Sequence, residues 1–287
     1  MVKVELITLI RPTQWVKNTF VIAPLLFTGS FTNFDNLFES FIAIIIFCLA
    51  SSVTYIFNDY RDIDLDRNHP IKSLTRPLAS NAVSIKQALV LGIVLFLTML
   101  ALLVFNKSAE LAIVIFGYLL LNFVYSVLLK NYAVIDIFCV SIGFVLRVYA
   151  GAVAISVPVS PWMFITTLAV ALFIAASKRK HELHHLGEAT GLTRNVLKSY
   201  SVNLIDRFVI AAAVLTLVFY SLFVVTSKES LILTVPLVMY GLFRYWYVCD
   251  RFGKGESPAE AIFTDKQLLI CSFVWTMLSG WLVWQAA

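Results

Sequence analysis

Residues 58–77 read Asn58-Asp59-Tyr60-Arg61-Asp62-Ile63-Asp64-Leu65-Asp66-Arg67-Asn68-His69-Pro70-Ile71-Lys72-Ser73-Leu74-Thr75-Arg76-Pro77. This is the densest charge cluster in an otherwise mostly apolar chain. Four carboxylates (Asp59, Asp62, Asp64, Asp66) fall within eight residues, and the cations Arg61, Arg67, Lys72 and Arg76 lie among or just after them. The segment before it, 37–57, is almost purely apolar, so the cluster begins where a hydrophobic helix ends. Asn58, Asp62 and Asp66 are four apart. On an α-helix a step of four turns a side chain by only about 40°, so the three form one oxygen-lined stripe, and Asp59, three before Asp62, joins its edge. Such a stripe repels itself unless a cation sits on it. Oxygen ligands at this density suit Mg²⁺ bound by a few carboxylates together with substrate phosphates, and the following basic residues suit the remaining phosphate charge. The competing reading is a solvated loop of balanced charge; the position at the mouth of a membrane helix argues against it.

Composition sets the class. Of 287 residues, 60% are hydrophobic and 14% charged, against about 45–50% and about 25% in a soluble domain. The chain reads as one integral membrane domain over 1–287. Residues 1–12 contain Glu5 and Arg11 and no cleavage-site pattern, so no removable signal peptide is expected. The cysteines Cys48, Cys139, Cys249 and Cys271 stand singly in or beside apolar segments, which gives neither a disulfide framework nor a metal pattern. The net charge of +5 points to anionic phosphates or headgroups; no nucleic-acid motif is present.

Working outward, residues 1–17 form an interfacial lead-in, with Trp15 as a headgroup anchor. Apolar spans are expected at 19–29, 37–57, 88–105, 111–129, 134–153, 162–176, 208–226, 231–248 and 268–284. That makes an all-α bundle of nine transmembrane helices, arranged in a ring around a central cavity. Residues 177–207 read as a long polar stretch. With this count, alternate loops share a side. One side holds nearly all the Lys and Arg; the connections near 30–36, 106–110, 154–161 and 227–230 carry only Lys107 and Lys228. The asymmetry places the basic side, with the N-terminus and the acidic cluster, in the cytoplasm, and the cavity opens there. A membrane transporter is the alternative of another class, but it needs polar groups near the midplane reachable from both faces.

A second charged stripe, Ser177-Lys178-Arg179-Lys180-His181-Glu182, ends another span. It places cations and one carboxylate on a helix end, opposite the first stripe if the helices pack in a ring; a plain positive-inside flank is the simpler reading. Zinc at Glu182, His184 and His185 lacks a third ligand at helpful spacing. Arg147 is an ionisable residue deep in a span and therefore a functional candidate, with a structural pair to a carboxylate such as Asp136 as the other option. Tyr125 and Lys130 end a span where they can touch phosphate, although Lys130 also fits simple snorkelling. Asp250, Arg251, Glu256, Glu260 and Asp265 form a last charged cluster, either a gate or a solvated loop.

The pattern Asn58-Asp59-x-x-Asp62-x-x-x-Asp66 on the second of nine helices resembles the first aspartate-rich motif of the UbiA superfamily of intramembrane prenyltransferases. The resemblance covers nearly the whole chain. Ordinary members carry a second motif with two aspartates four apart; here the matching place looks like Lys178-Arg179-x-x-Glu182. That stretch, with Arg11-Pro12-x-Gln14-Trp15-x-Lys17-Asn18 and His69-Pro70-x-Lys72-x-x-x-Arg76-Pro77, is similar to the decaprenyl-phosphate phosphoribosyltransferase branch. The resemblance implies Mg²⁺ on Asn58, Asp62 and Asp66 with Asp59 assisting, and Asp59, Asp62, Asp66 and Arg147 at the reacting centre. It implies phosphoribosyl diphosphate as donor and a polyprenyl phosphate as acceptor, held by Arg11, Gln14, Lys17, Asn18, Lys72, Arg76, Tyr125, Lys130, Lys178, Arg179 and Glu182. Diphosphate would leave and the lipid phosphate attack with inversion. Prenyl transfer from a prenyl diphosphate to an aromatic or lipid acceptor is the alternative within the superfamily. The oligomeric state, a homo-oligomer included, stays open.

Overall fold

The structure is a computed structural model that describes residues 2–69, 71–185, 195–252, 261 and 264–286. The described elements are helical. They are α1 (Val2–Ile10), a 3-10 helix (Pro12–Ile22), α2 (Ala23–Thr28), α3 (Phe34–Arg61), α4 (Ile63–Arg67), α5 (Lys72–Thr75), α6 (Ile85–Asn106), α7 (Ala109–Val127), α8 (Ile135–Ala154), α9 (Pro161–His185), α10 (Val202–Ser227), α11 (Val235–Phe252) and α12 (Lys266–Gln285), with short 3-10 turns between some of them. Small polar residues start the long helices. Asn33, Ser84, Ser108, Ser201 and Asp265 each accept a backbone N–H of the first turn, which satisfies donors that have no intrahelical partner.

Eight of these helices are long and apolar enough to cross a membrane. The span expected at 19–29 is not among them. It belongs to the eleven-residue 3-10 helix followed by the six-residue α2. Rises of about 2.0 Å and about 1.5 Å per residue give this pair roughly 31 Å, close to the roughly 30 Å of a hydrocarbon core. It also runs the length of α3: Arg11 pairs with Asp59 at one end of that helix, and Asn33 caps the other. Gly151 on α8 permits the fit, since a Cβ there would lie 1.9 Å from the Val21 carbonyl oxygen. Trp15, expected as a headgroup anchor, instead donates its Nε1–H to Ser52 Oγ at 3.0 Å and hooks this segment to α3.

The long helices alternate in direction. α3 packs on α6 and α7, then α7 on α8, α8 on α9, α9 on α10, α10 on α11 and α11 on α12, while α12 returns to α2 and closes a ring. α8 lies innermost: it also touches the 3-10 helix, α2 and α3 and has the largest buried share of any spanning helix. The expected polar stretch 177–207 is partly helical, because α9 continues to His185 and α10 begins at Val202. The ring direction gathers the C-terminal ends of α3, α7, α9 and α11 and the N-terminal ends of α6, α8, α10 and α12 at one end.

Candidate active site

That end holds the acidic stripe. α3 stops at Arg61 and Asp62 leaves helical geometry (φ −98°, ψ 10°), yet the turn is nearly continuous. The Asp62 N–H donates to the Asn58 carbonyl at 3.0 Å and the Asp66 N–H to the Asp62 carbonyl at 2.8 Å. Asn58, Asp62 and Asp66 therefore stay on successive turns. Asp64 points away, and its side chain is 90% exposed.

Each inward carboxylate meets a cation from a different segment. Asp59, buried on α3, takes Arg11 from before the 3-10 helix and Arg76 from after α5, the latter at 3.2 Å. Asp62 takes Lys130 from the α7–α8 connection. Asp66 takes Lys72 of α5 at 3.6 Å. Ser126 of α7 donates to Asn58 Oδ1 at 3.1 Å. Arg11 is held in the left-handed region (φ 53°) and lies over the Tyr55 ring at 5.0 Å. Among the described residues no three His, Cys, Asp or Glu side chains already surround one point. The oxygen-only donor set nevertheless suits a hard divalent cation. Asp59 Oδ2 is also buried without a hydrogen-bond partner, a costly state for an anionic oxygen.

A second assembly lies on α8 and α9. Arg179, expected to bind phosphate, has its guanidinium committed internally. Nε donates to Asp136 Oδ2 at 2.6 Å, Nη1 to Glu182 Oε2 at 2.6 Å and Nη2 to Tyr125 Oη at 3.3 Å. Asp136 is fully buried, and its Oδ1 accepts from Tyr200 Oη at 2.6 Å. The Tyr200 hydroxyl in turn accepts the Val134 N–H at 2.5 Å. Burial, then the bond to the Asp136 carboxylate, push the Tyr200 phenol well above its ordinary pKa. Asp136 thus pairs with Arg179, not with Arg147.

Arg147, expected at the reacting centre, is equally engaged. It donates to Asn18 Oδ1 at 2.8 Å, the Gly143 carbonyl at 2.7 Å and Tyr118 Oη at 3.2 Å. It also stacks on Phe47, Tyr118 and Phe144 with 4.9–5.4 Å to the ring centroids. Asn18 completes the floor by donating to Cys48 Sγ and Ser51 Oγ. Lys17, next to it, makes no ion pair among the described residues. Its charged neighbours Lys178, Arg147 and Arg11 are all cations. The Gln14 side chain makes no hydrogen bond among the described residues, although its N–H bonds the Arg11 carbonyl.

Farther round the ring, Lys180 joins Asp206 at 2.8 Å and Asp250 at 3.4 Å, and Arg244 joins Asp265 at 2.7 Å. Glu256 and Glu260 of the suggested gate lie outside the described residues, as do the side chains of His184 and His185 and the residue Pro70. Sequence reading did not single out Tyr200 or Ser126, since no local spacing relates either to its partner.

Comparison with known proteins follows the same lines. Residues 19–266 match the UbiA prenyltransferase family. A decaprenyl-phosphate phosphoribosyltransferase of Mycolicibacterium smegmatis is 34% identical, covering 94% of this chain and 89% of the relative. One of Corynebacterium glutamicum is 34% identical over 94% of this chain and 84% of its own length. A UbiA homologue of Archaeoglobus fulgidus, solved bound to GPP and Mg²⁺, superposes with a TM-score of 0.74 at 18% identity, over 98% of this chain and 99% of that one. With its ring of helices and its Asn58–Asp66 stripe, this multi-pass membrane chain belongs to the UbiA prenyltransferase family.

Proposed function

We propose that the protein transfers 5-phosphoribose from phosphoribosyl diphosphate to a polyprenyl phosphate of the decaprenyl type and releases diphosphate. The observation that carries this reading is the convergence of cations from separate segments on one oxygen stripe. Arg11, Lys72, Arg76 and Lys130 reach Asp59, Asp62 and Asp66, an assembly suited to ligands with several phosphate groups. The curated relatives' names supply the transferred group. The alternative donor, a prenyl diphosphate, is served in ordinary family members by a second acidic motif, and Arg179 stands at that place here.

Asn58, Asp62 and Asp66 would hold Mg²⁺, with Asp59 beside them, and the ion would offset the charge of the departing diphosphate. Lys130 and Lys72 exchange their carboxylates for phosphate oxygens as the donor binds. Lys17 and Lys178 receive the remaining phosphate charge. Bond cleavage at the anomeric carbon leaves positive character on the ribose ring, and the lipid phosphate oxygen attacks from the opposite face, which inverts the centre. The acceptor is already anionic, so no general base is needed. Arg179 orients Glu182, and Arg147 holds Asn18; neither touches the reacting atoms. The site and the N-terminus face the cytoplasm, and the 12–28 segment makes the ninth crossing.

Purified protein given polyprenyl phosphate and labelled phosphoribosyl diphosphate should move label into the lipid phase, and a chelator should abolish the transfer. A parallel reaction with prenyl diphosphate and 4-hydroxybenzoate should stay silent. Turnover in that arm alone would replace this reading with ordinary prenyl transfer, and flux into proteoliposomes without product would replace it with transport.

A further inference from the structure

Elements that do not span carry strongly exposed apolar side chains at the charged end of the bundle. Leu74 of α5 is 81% exposed, more than any other large apolar residue described, and Ile71 is 67% and Leu65 61% exposed. On α1, Val4 and Ile7 are likewise exposed, while Leu9 is fully buried in a cluster with Ile56, Leu78, Val83 and Ala88. The lead-in helix is thus pinned to α3 and α6 by one face and offers apolar residues on the other. α5 itself is anchored through polar groups: Lys72 reaches Asp66, and Arg76, just beyond it, reaches Asp59.

The surface continues into lipid-facing helix. α6 starts at Ile85, soon after α5, and exposes Ile85, Leu89, Val90, Ile93 and Val94. Two exposed cations flank it, Arg61 at the end of α3 and Lys86 at the start of α6, and neither has an ion pair among the described residues. Apolar side chains beside unpaired cations match the interface of an anionic leaflet, where hydrocarbon and headgroup phosphate lie within a few ångströms of each other.

We propose that α1 and the α4–α5 segment lie in the leaflet interface on the α6 side, and that the anionic lipid acceptor reaches the acidic stripe from there. The interfacial seating stands on the exposure pattern alone; delivery of the acceptor rests on the proposed phosphoribosyl transfer. α5 links the two surfaces, since Ile71 and Leu74 face outward within one turn of Lys72.

The test places a nitroxide at Leu74→Cys, and separately at Asp64→Cys as a polar exposed control, in nanodiscs of phosphatidylglycerol and phosphatidylcholine, with the unsubstituted chain as background. Collision with oxygen should dominate at position 74, and collision with a water-soluble nickel chelate at position 64. Chelate dominance at both positions overturns the interfacial seating, whatever reaction the protein catalyses. In the transfer assay, Ile71→Ser with Leu74→Ser should raise KM for polyprenyl phosphate about tenfold, the order expected from losing two apolar contacts. KM for phosphoribosyl diphosphate and kcat should not change. An equal rise for both substrates would make α5 a general support of the site and overturn lipid delivery. A Leu74 label shielded from both quenchers would indicate a protein contact, such as a second copy of the chain, and would likewise overturn the proposal.

Discussion

The α3–α4 stripe and the α8–α9 assembly are both carboxylate–cation clusters at the same end of the bundle, yet they are built in opposite ways. In the first, each carboxylate meets cations on long side chains drawn from other segments. Asp62 and Lys130 are both partly reachable by solvent, at 13% and 14%. Asp59 Oδ2 has no partner. In the second, both Asp136 oxygens and all three Arg179 nitrogens are bonded, and Asp136 is fully buried. A cluster with flexible counter-ions and unused oxygen can exchange partners when a ligand arrives. A closed one can only hold its neighbours in place, because removing Asp136 or Arg179 takes away the buried partner of the other. On the proposed reading, the contrast separates residues that meet the substrate from residues that position them.

Asp62→Asn should give the largest effect on turnover. It removes a charged oxygen from the stripe while keeping its shape, and the rate should fall about 10³-fold, the scale for losing one electrostatic group at a reacting centre. Thermal stability should move by less than about 1 kcal/mol, since the lost pair with Lys130 is partly solvated. Label transfer and a melting curve on the same preparation check both halves. Near-normal turnover would remove Asp62 from the metal set.

Asp136→Asn should show the reverse. Arg179 would keep Glu182 but lose its buried partner, so the protein should lose roughly 3 kcal/mol of stability. Whatever folds should retain most of its kcat. A variant that melts normally but is inactive would move the α8–α9 cluster into the chemistry and erase the distinction drawn above.

How much of this was legible in the sequence differs between the two clusters for a physical reason. The stripe is local: Asn58, Asp62 and Asp66 share one helical repeat, so spacing alone aligns them, and the break at Asp62 barely disturbs the alignment. Loop charge gave the common end for the same kind of reason, since it depends only on where apolar segments start and stop. The closed cluster is not local. Asp136 and Arg179 are 43 residues apart, and Arg147 finds Asn18 across 129 residues. No repeat encodes either pairing, and the pair with Asp136 that the sequence offers as one option for Arg147 is not formed. The first span differs in its geometry. Its apolar run is short for an α-helix, and the 3-10 helix over much of it lengthens it, because its rise per residue is larger.

The smallest effect tests how rigid the closed cluster is. Tyr200 is a buried member of it, and its hydroxyl bridges Asp136 to the backbone of Val134. Val134 stands just before α8 with φ 70° and ψ −49°, a conformation that a β-branched residue adopts only under strain. The bond from its N–H to Tyr200 helps hold it there, and so fixes where α8 begins and where Asp136 points. Tyr200→Phe removes both hydrogen bonds and should lower stability by about 1–2 kcal/mol. Val134→Gly relieves the strain at this position and weakens the need for the bond. Combined with Tyr200→Phe it should cost less than the sum of the two single changes, with a coupling of about 1 kcal/mol in a double-mutant cycle. Additivity within about 0.3 kcal/mol would mean that the phenol does not hold the helix start. Asp136 would then owe its position to Arg179 alone, and the cluster would be a pair rather than a network.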